Sequence, residues 1–313
     1  MSKKENNNTL VKNATFLMVA ALISKIIGML YKSPLTTLIG RESFACFQFA
    51  QNAYFILLMI ASFSIPQAVS KIMSERIAFK RYRDAQRVFK GALLYAVIAG
   101  GIAALVCIFG ASILVPDNMA NARLALQMLA PTIFVSGILG VFRGYFQAYR
   151  NMLPTSISQI LEQIAVATVA LLASGFMVHH FANAGEDTLQ RWSAAGATMG
   201  TGAGVCTAFL FMLFVYRVNH KTIAKKIKND RVSVNESYRS IMKIILLIAA
   251  PIILSAFIYN VNGYINGVMY TSILGWKGVS NSLVKQNYAE YGFFMTLINI
   301  PLTLASTAPT SMM

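Results

Sequence analysis

The chain has 313 residues, of which 56% are apolar and only 12% charged, and its formal net charge is +16. A soluble globular domain carries about 25% charged residues, so this composition argues against one. An excess of basic residues would point to nucleic acid in a soluble protein, but here the charge lies in short stretches between long apolar runs, and no nucleic-acid partner is expected.

Apolar runs of about 18 residues or more are long enough to cross a ~30 Å hydrocarbon layer as helices. Eight such spans are expected, at 14–39, 44–70, 88–114, 124–146, 157–178, 193–216, 241–270 and 287–309. The first is read as a retained helix rather than a cleaved signal. Pro66, Pro131, Pro251 and Pro301 fall inside spans, and Pro66 and Pro301 are candidate kinks. Lys and Arg alternate in density along the chain. Twenty of the 27 fall at the N-terminus, between Lys71 and Lys90, at Arg143 and Arg150, and between Arg217 and Lys243. These positions belong to one side of an alternating topology, so a cytoplasmic N-terminus in a bacterial cell membrane is expected.

The stretch Lys71–Lys90 mixes Ile72, Ile77, Phe79, Val88 and Phe89 with basic residues. It is expected either to lie as a helix on an anionic inner leaflet or to be a solvated connector. The basic stretch 217–240 is the longest loop and the expected hinge. Gly196, Gly200 and Gly204 recur at four-residue spacing in the sixth span, a face that allows close helix approach. A weak repeat relates the first two spans to the last two: Leu38–Gly40 matches Ile273–Gly275, and Tyr54 with Pro66 matches Tyr291 with Pro301. Repeated bundles are a common transporter architecture. The chain ends directly after an apolar run, and a truncated second bundle is expected.

No phosphate-binding GxxxxGK[ST] loop occurs. Cys46, Cys107 and Cys206 have no metal-ligand spacing and are read as packing residues. His179, His180 and His220 lack acidic or cysteine partners at ligand spacing. Neither a catalytic triad nor an HExxH motif is present, so no cofactor, metal or enzymatic chemistry is expected. Ionisable and polar groups at membrane depth are costly and mark pathways. The candidates are Lys25, Lys32, Asn52, Arg143, Gln159, Glu162, Asn262 and Asn266. Bland alternatives stand beside them: Lys25 paired for helix packing, Glu162 at the interface, Arg143 obeying the charge bias. Asn260, Asn262 and Asn266 either line a cavity or bond across helices.

LISKIIGMLYKSPLTTLIG, SIPQAVSKIMSER and FRGYFQAYRNMLPTSISQILEQ resemble the multidrug/oligosaccharidyl-lipid/polysaccharide (MOP) exporter superfamily. The resemblance is greatest to its polysaccharide-transporter branch, which includes stage V sporulation protein B-like and lipid II flippase-like proteins. It implies an all-α, MATE-like transporter of two six-helix lobes moving a lipid-linked oligosaccharide between leaflets, with a cationic cavity for the pyrophosphate. The lobes would fall at 1–216 and, incomplete, at 241–313, joined by 217–240. Arg143 and Glu162 fall on matching motif positions. Lys25 stands where the family usually has Arg, Asn266 where relatives often carry Asp, and Ala148 where glycine is common. Two further readings are a drug/cation antiporter of the same superfamily and a non-transporting membrane scaffold.

Overall fold

The computed structural model describes residues 3–234 and 236–310; side chains are described from Thr15 on, except at 17, 60, 63, 222, 259, 260, 296, 297 and 299–310. Among the described residues there is no strand. Helix α1 (Lys3–Leu30) is followed by α2 (Lys32–Ile39). The two meet at Tyr31, which keeps helical backbone angles, three residues before Pro34, which lacks the N–H that would continue the ladder. Next comes α3 (Arg41–Leu58), a π-helical turn (Met59–Phe63) and α4 (Ile65–Ala78). Pro66 sits in the first turn of α4, so the kink expected there takes the form of a π-turn and restart. Then follow α5 (Tyr82–Phe109), α6 (Ala111–Leu114), a short 3₁₀ turn, α7 (Ala122–Met128) and α8 (Ala130–Ala148). Pro131, in the first turn of α8, marks the break from α7. The chain continues through α9 (Leu153–His180), α10 (Glu186–Lys228), α11 (Tyr238–Trp276) and α12 (Asn281–Thr310). Pro251 lies within α11, which runs on without a break. Pro301 lies outside the residues with described side chains.

Among the described residues, six helices are long and apolar enough to cross a membrane: Met18–Ile39, Tyr82–Phe109, Ala122–Ala148, Leu153–His180, Glu186–Lys221 and Tyr238–Trp276. The other two expected spans are helical as well, in α3 to α4, where the π-turn divides the span, and in α12, much of which lies outside the described side chains. Both carry amides and charges: Gln48, Gln51 and Asn52 on α3, and Lys285, Gln286 and Glu290 on α12. The outward faces of the long helices are apolar and exposed, as at Phe109, Leu172, Phe214 and Leu247. A surface of that kind is stable against lipid tails rather than water.

Two apolar clusters hold the bundle. One gathers Phe44, Phe49, Leu126 and Ile133 near the α3–α7 contact; the other gathers Ile72, Phe89, Phe142 and Tyr145 among α4, α5 and α8. The glycine face of α10 packs on α9. A Cβ at Gly200 would lie 2.7 Å from Val166 O, and one at Gly204 would lie 2.7 Å from Glu162 O and collide with the Val166 side chain. The close helix approach expected there is present. Cys46 and Cys107 are buried as expected, but Cys206 is exposed on α10.

The surface helix expected along 71–90 does not form. Residues 71–78 finish α4 and 82–90 begin α5, with a tight turn at Lys80, whose φ is 60°. Ile72, Val88 and Phe89 are buried in the second cluster, because each helix turns its apolar face inward; Phe79 stays exposed. The basic stretch 217–240 is likewise shorter as a loop than expected. α10 carries on through Lys228 and α11 begins at Tyr238, so the linker is confined to the residues between them, 229–237.

That linker is bonded to the α4–α5 turn. Asp84, fully buried, accepts the N–H groups of Val234 (3.0 Å) and Glu236 (3.1 Å) and is paired with Arg81 (2.8 Å). Glu236 in turn pairs with Arg76 (3.2 Å) and Arg81 (2.6 Å). Asp230 accepts the Arg83 N–H at 2.7 Å and the Ser233 hydroxyl at 2.6 Å.

Candidate functional site

A cavity of about 1310 Å³ is walled by α1, α2, α3, α8, α9, α10, α11 and α12. Drug-sized ligands occupy pockets of about 300–1,000 Å³, so this one has room for a larger guest. Its wall is mixed. Apolar surface from Phe47, Leu58 and Ile258 alternates with the amides Gln48, Gln51, Asn52, Gln147, Gln159, Gln163, Asn262 and Asn266 and with the phenols of Tyr31, Tyr54, Tyr264, Tyr288 and Tyr291. The charged residues lining it, among those described, are Lys32, Arg143 and Glu162.

Local sequence explains the polar wall. Gln48, Gln51 and Asn52 lie three and four residues apart on α3 and so share one face, as do Gln159, Glu162 and Gln163 on α9. The opposite faces of both helices are apolar. Gln51 Nε2 donates to Thr201 Oγ1 at 2.7 Å, and Asn52 Nδ2 donates to Tyr288 OH at 3.0 Å, so α3 is tied to α10 and α12 across the cavity.

Arg143 on α8 and Glu162 on α9 form an ion pair, Nη2 to Oε2 at 2.6 Å, with side chains 16% and 19% exposed. Ser158, one turn before Glu162, accepts the Arg143 Nε–H at 3.1 Å and donates to Thr155 O at 2.7 Å. The guanidinium is thus held at two of its edges by one helix face. Gly204 sets the depth of that face, since α10 comes close enough there to leave no room for a side chain.

Lys32, Asn52, Arg143, Gln159, Glu162, Asn262 and Asn266 are therefore brought together on one cavity wall system. Lys25 is not. Its side chain is exposed on α1 and lies outside the lining, which α1 reaches one turn later, at Gly28. Asn260 lies outside the described side chains. The tyrosines and Gln48, Gln147 and Gln163 were not among the sequence candidates. The readable signal was the amide spacing on α3 and α9; isolated tyrosines on α11 and α12 carry none.

The two ends of the cavity differ. Gln147 and Thr155 line it beside the α8–α9 turn, at the basic end of the bundle. At the opposite end a polar network joins α3, α10 and α12. Glu42 accepts from Gln190 (2.7 Å), Gln286 (3.2 Å) and the Ser282 hydroxyl, and Lys285 donates to Gln190 at 2.6 Å. Asn121 bonds both Gln190 and Asp187. His179 and His180 close α9 at this end, where His180 meets Phe176 and Phe181. No group of three or more metal-ligating side chains exists among the described residues.

The comparisons match this architecture. Stage V sporulation protein B of Bacillus subtilis (strain 168) is 24% identical over 97% of this chain and 57% of its own length. Lipid II flippase MurJ of the same organism is 24% identical over 96% of the chain and 56% of its own. The chain thus spans little more than half the length of these relatives. Among solved structures, a multidrug resistance MATE family transporter of the MOP superfamily matches in its outward-facing conformation, with TM-score 0.64 and 16% identity over 96% of this chain and 63% of that one. An inward-facing conformation of such a transporter matches with TM-score 0.62 and 15% identity over 96% and 63%. The fold is that of MOP-superfamily transporters, in a multi-pass membrane protein. The profile of the family described as polysaccharide biosynthesis protein matches residues 10–311, and the chain belongs to that family.

Proposed function

We propose that the protein is a flippase that moves a lipid-linked oligosaccharide, such as a polyprenyl-pyrophosphate-linked cell-wall or polysaccharide unit, across the bacterial cytoplasmic membrane. The observation that carries this reading is the cavity of about 1310 Å³ whose wall combines amides and tyrosines with Lys32 and Arg143. Amides and phenols match the hydroxyl and acetamido groups of a glycan, and the cations match a pyrophosphate. The wall suits a small apolar cation less well, since the acid within it, Glu162, is already paired with Arg143; this weighs against the drug/cation antiporter.

In this reading residues 1–216 form one lobe and 241–313 begin a second, with the N-terminus and the 229–237 linker inside. The Glu42–Gln190–Lys285 network then closes the outer end, and the cavity reaches toward the cytoplasmic side. Loading from the inner leaflet is followed by breaking of that network and opening outward.

The test is leaflet-resolved measurement of lipid-linked glycans in cells depleted of the full-length protein. The expected result is accumulation of one lipid-linked precursor in the inner leaflet, reversed by the wild-type gene and not by Arg143→Ala expressed at equal level. Unchanged leaflet distribution of every lipid-linked glycan on depletion refutes the proposal.

A further inference from the structure

We infer that Glu162 is an internal counter-ion that competes with the anionic group of the cargo for Arg143 and thereby sets how readily the cargo is released. The inference rests on the flippase reading above and deepens it.

The pair stands inside the cavity and is largely shielded from solvent, with Arg143 16% and Glu162 19% exposed. A guanidinium in so dry a setting requires a partner, and Glu162 is the acid that meets it. The arrangement of the donors matters more than the contact itself. Nε–H is committed to Ser158 and one Nη2–H to Glu162, whereas Nη1 has no hydrogen-bond partner among the described residues. Ser158 therefore keeps the guanidinium oriented whether or not Glu162 holds on. A pyrophosphate oxygen that approaches the Nη edge meets a preset fork, the bidentate geometry at which arginine excels. It also meets the Glu162 carboxylate, and two anions at that spacing repel. The carboxylate must swing off, and Gln159 and Gln163, one turn before and one residue after it on the same face, supply amide N–H groups toward which it can turn.

The backbone of Glu162 does not yield in this exchange, because α9 is fixed against Gly204. The side chain thus remains within reach of Arg143 throughout. When the cavity opens outward, the same carboxylate takes the guanidinium back as the anion leaves. A neutral lipid brings no charge to displace it and leaves the pair intact. Cargo binding is weakened by the presence of Glu162, and release is hastened by the same amount, since affinity differences at one site lie mostly in the dissociation rate.

The experiment measures binding of undecaprenyl pyrophosphate and of undecaprenol to the full-length protein in neutral detergent at low salt. The Glu162→Gln variant is expected to bind the pyrophosphate lipid about tenfold or more tightly than wild type, with a correspondingly slower dissociation, and to bind undecaprenol unchanged. In an Arg143→Gln background the same Glu162→Gln change is expected to lose most of this effect, which a merely structural role of Glu162 would not produce. Should Glu162→Gln fail to fold, the infrared difference spectrum of the wild-type protein decides. Undecaprenyl pyrophosphate then shifts a carboxylate stretch from the ion-paired to the unpaired position, and undecaprenol does not. Equal affinity of wild type and Glu162→Gln for the pyrophosphate lipid, or an unmoved carboxylate band on its binding, overturns the counter-ion inference alone. Failure of the folded wild-type protein to bind it at all overturns both this inference and the lipid-linked reading.

Discussion

Replacing Asp84 by Asn tests the attachment of the 229–237 linker to the first bundle. Asp84 is fully buried and its two oxygens take four donors: the N–H groups of Val234 and Glu236, and Nε and Nη2 of Arg81. Asparagine keeps the shape but only one acceptor oxygen, and its amide N–H₂ faces donors where an acceptor stood. A net hydrogen bond to a charged group contributes about 1.5–3 kcal/mol, and breaking a buried pair costs about 3–5 kcal/mol. Glu236 retains Arg76 and still pairs with Arg81, so the loss should fall near the lower end, about 3 kcal/mol. That raises the fraction of molecules with a detached linker by roughly a hundredfold. Hydrogen exchange on the intact protein reads it directly: the Val234 and Glu236 amides should exchange about two decades faster in Asp84→Asn, while amides in the middle of α8 change little. Unchanged protection at Val234 and Glu236 refutes the reasoning, because it means that these bonds do not hold the linker.

Asp230 makes the same attachment pH-dependent. Burial by itself raises its pKa, but hydrogen bonds from the Ser233 hydroxyl and from the N–H groups of Arg83, Val232 and Ser233 more than offset this and hold the carboxyl well below the usual carboxylate range. A depressed folded-state pKa contributes stability that is full above the unfolded value of about 3.9 and is lost as pH falls below it. Linker protection should therefore hold from neutral pH down to about pH 4 and decline below, and Asp230→Asn should flatten that decline; a profile identical to wild type speaks against it. Gly200→Leu forces a side chain into Ala170 and the α9 backbone and should lower thermal stability in detergent by at least about 1–3 kcal/mol, with Gly101→Leu, where open space surrounds the position, as the tolerated control. Lys285→Met leaves Gln190 Oε1 to Asn121 alone and removes the ammonium from the α3–α10–α12 network; cysteines placed at Gln48 and Asn52 should then react faster with an impermeant thiol reagent added from outside whole cells, and equal rates refute the closed outer end. The same reagent should label Lys277→Cys from outside and Lys80→Cys only after permeabilisation; the reverse pattern overturns the inferred orientation.

Much of this protein is legible along the chain, since crossing a bilayer imposes a local rule. Each span must satisfy its own backbone hydrogen bonds and present apolar side chains outward, so length and apolar content alone find the helices over 82–109, 153–180 and 238–276. The same rule has an exception on α3, whose amides meet a cavity rather than lipid, and composition alone does not show which way they face. Proline chemistry is equally local: Pro66 marks a break where one is expected, and Pro131, read along the chain only as a proline within a span, marks another. Pro251 shows the limit: whether a helix breaks at a proline depends on what its neighbours hold in place.

Only the tertiary structure decided which polar residues meet. Lys25 and Lys32 are seven residues apart in one apolar run, yet Lys32 stands in the cavity wall and Lys25 does not. Arg143 and Glu162 sit on separate helices, and their pairing depends on a tight turn at Arg150, whose φ is 59°, and on the depth at which Gly204 admits α9. The basic stretches at 71–90 and 217–240 look like solvated loops by charge, but buried Asp84 and Glu236 draw Arg76, Arg81 and the linker into one bonded unit. Hydropathy and charge bias are sums over neighbours in sequence, whereas ion pairs and cavities are set by distances between helices, which no local sum contains.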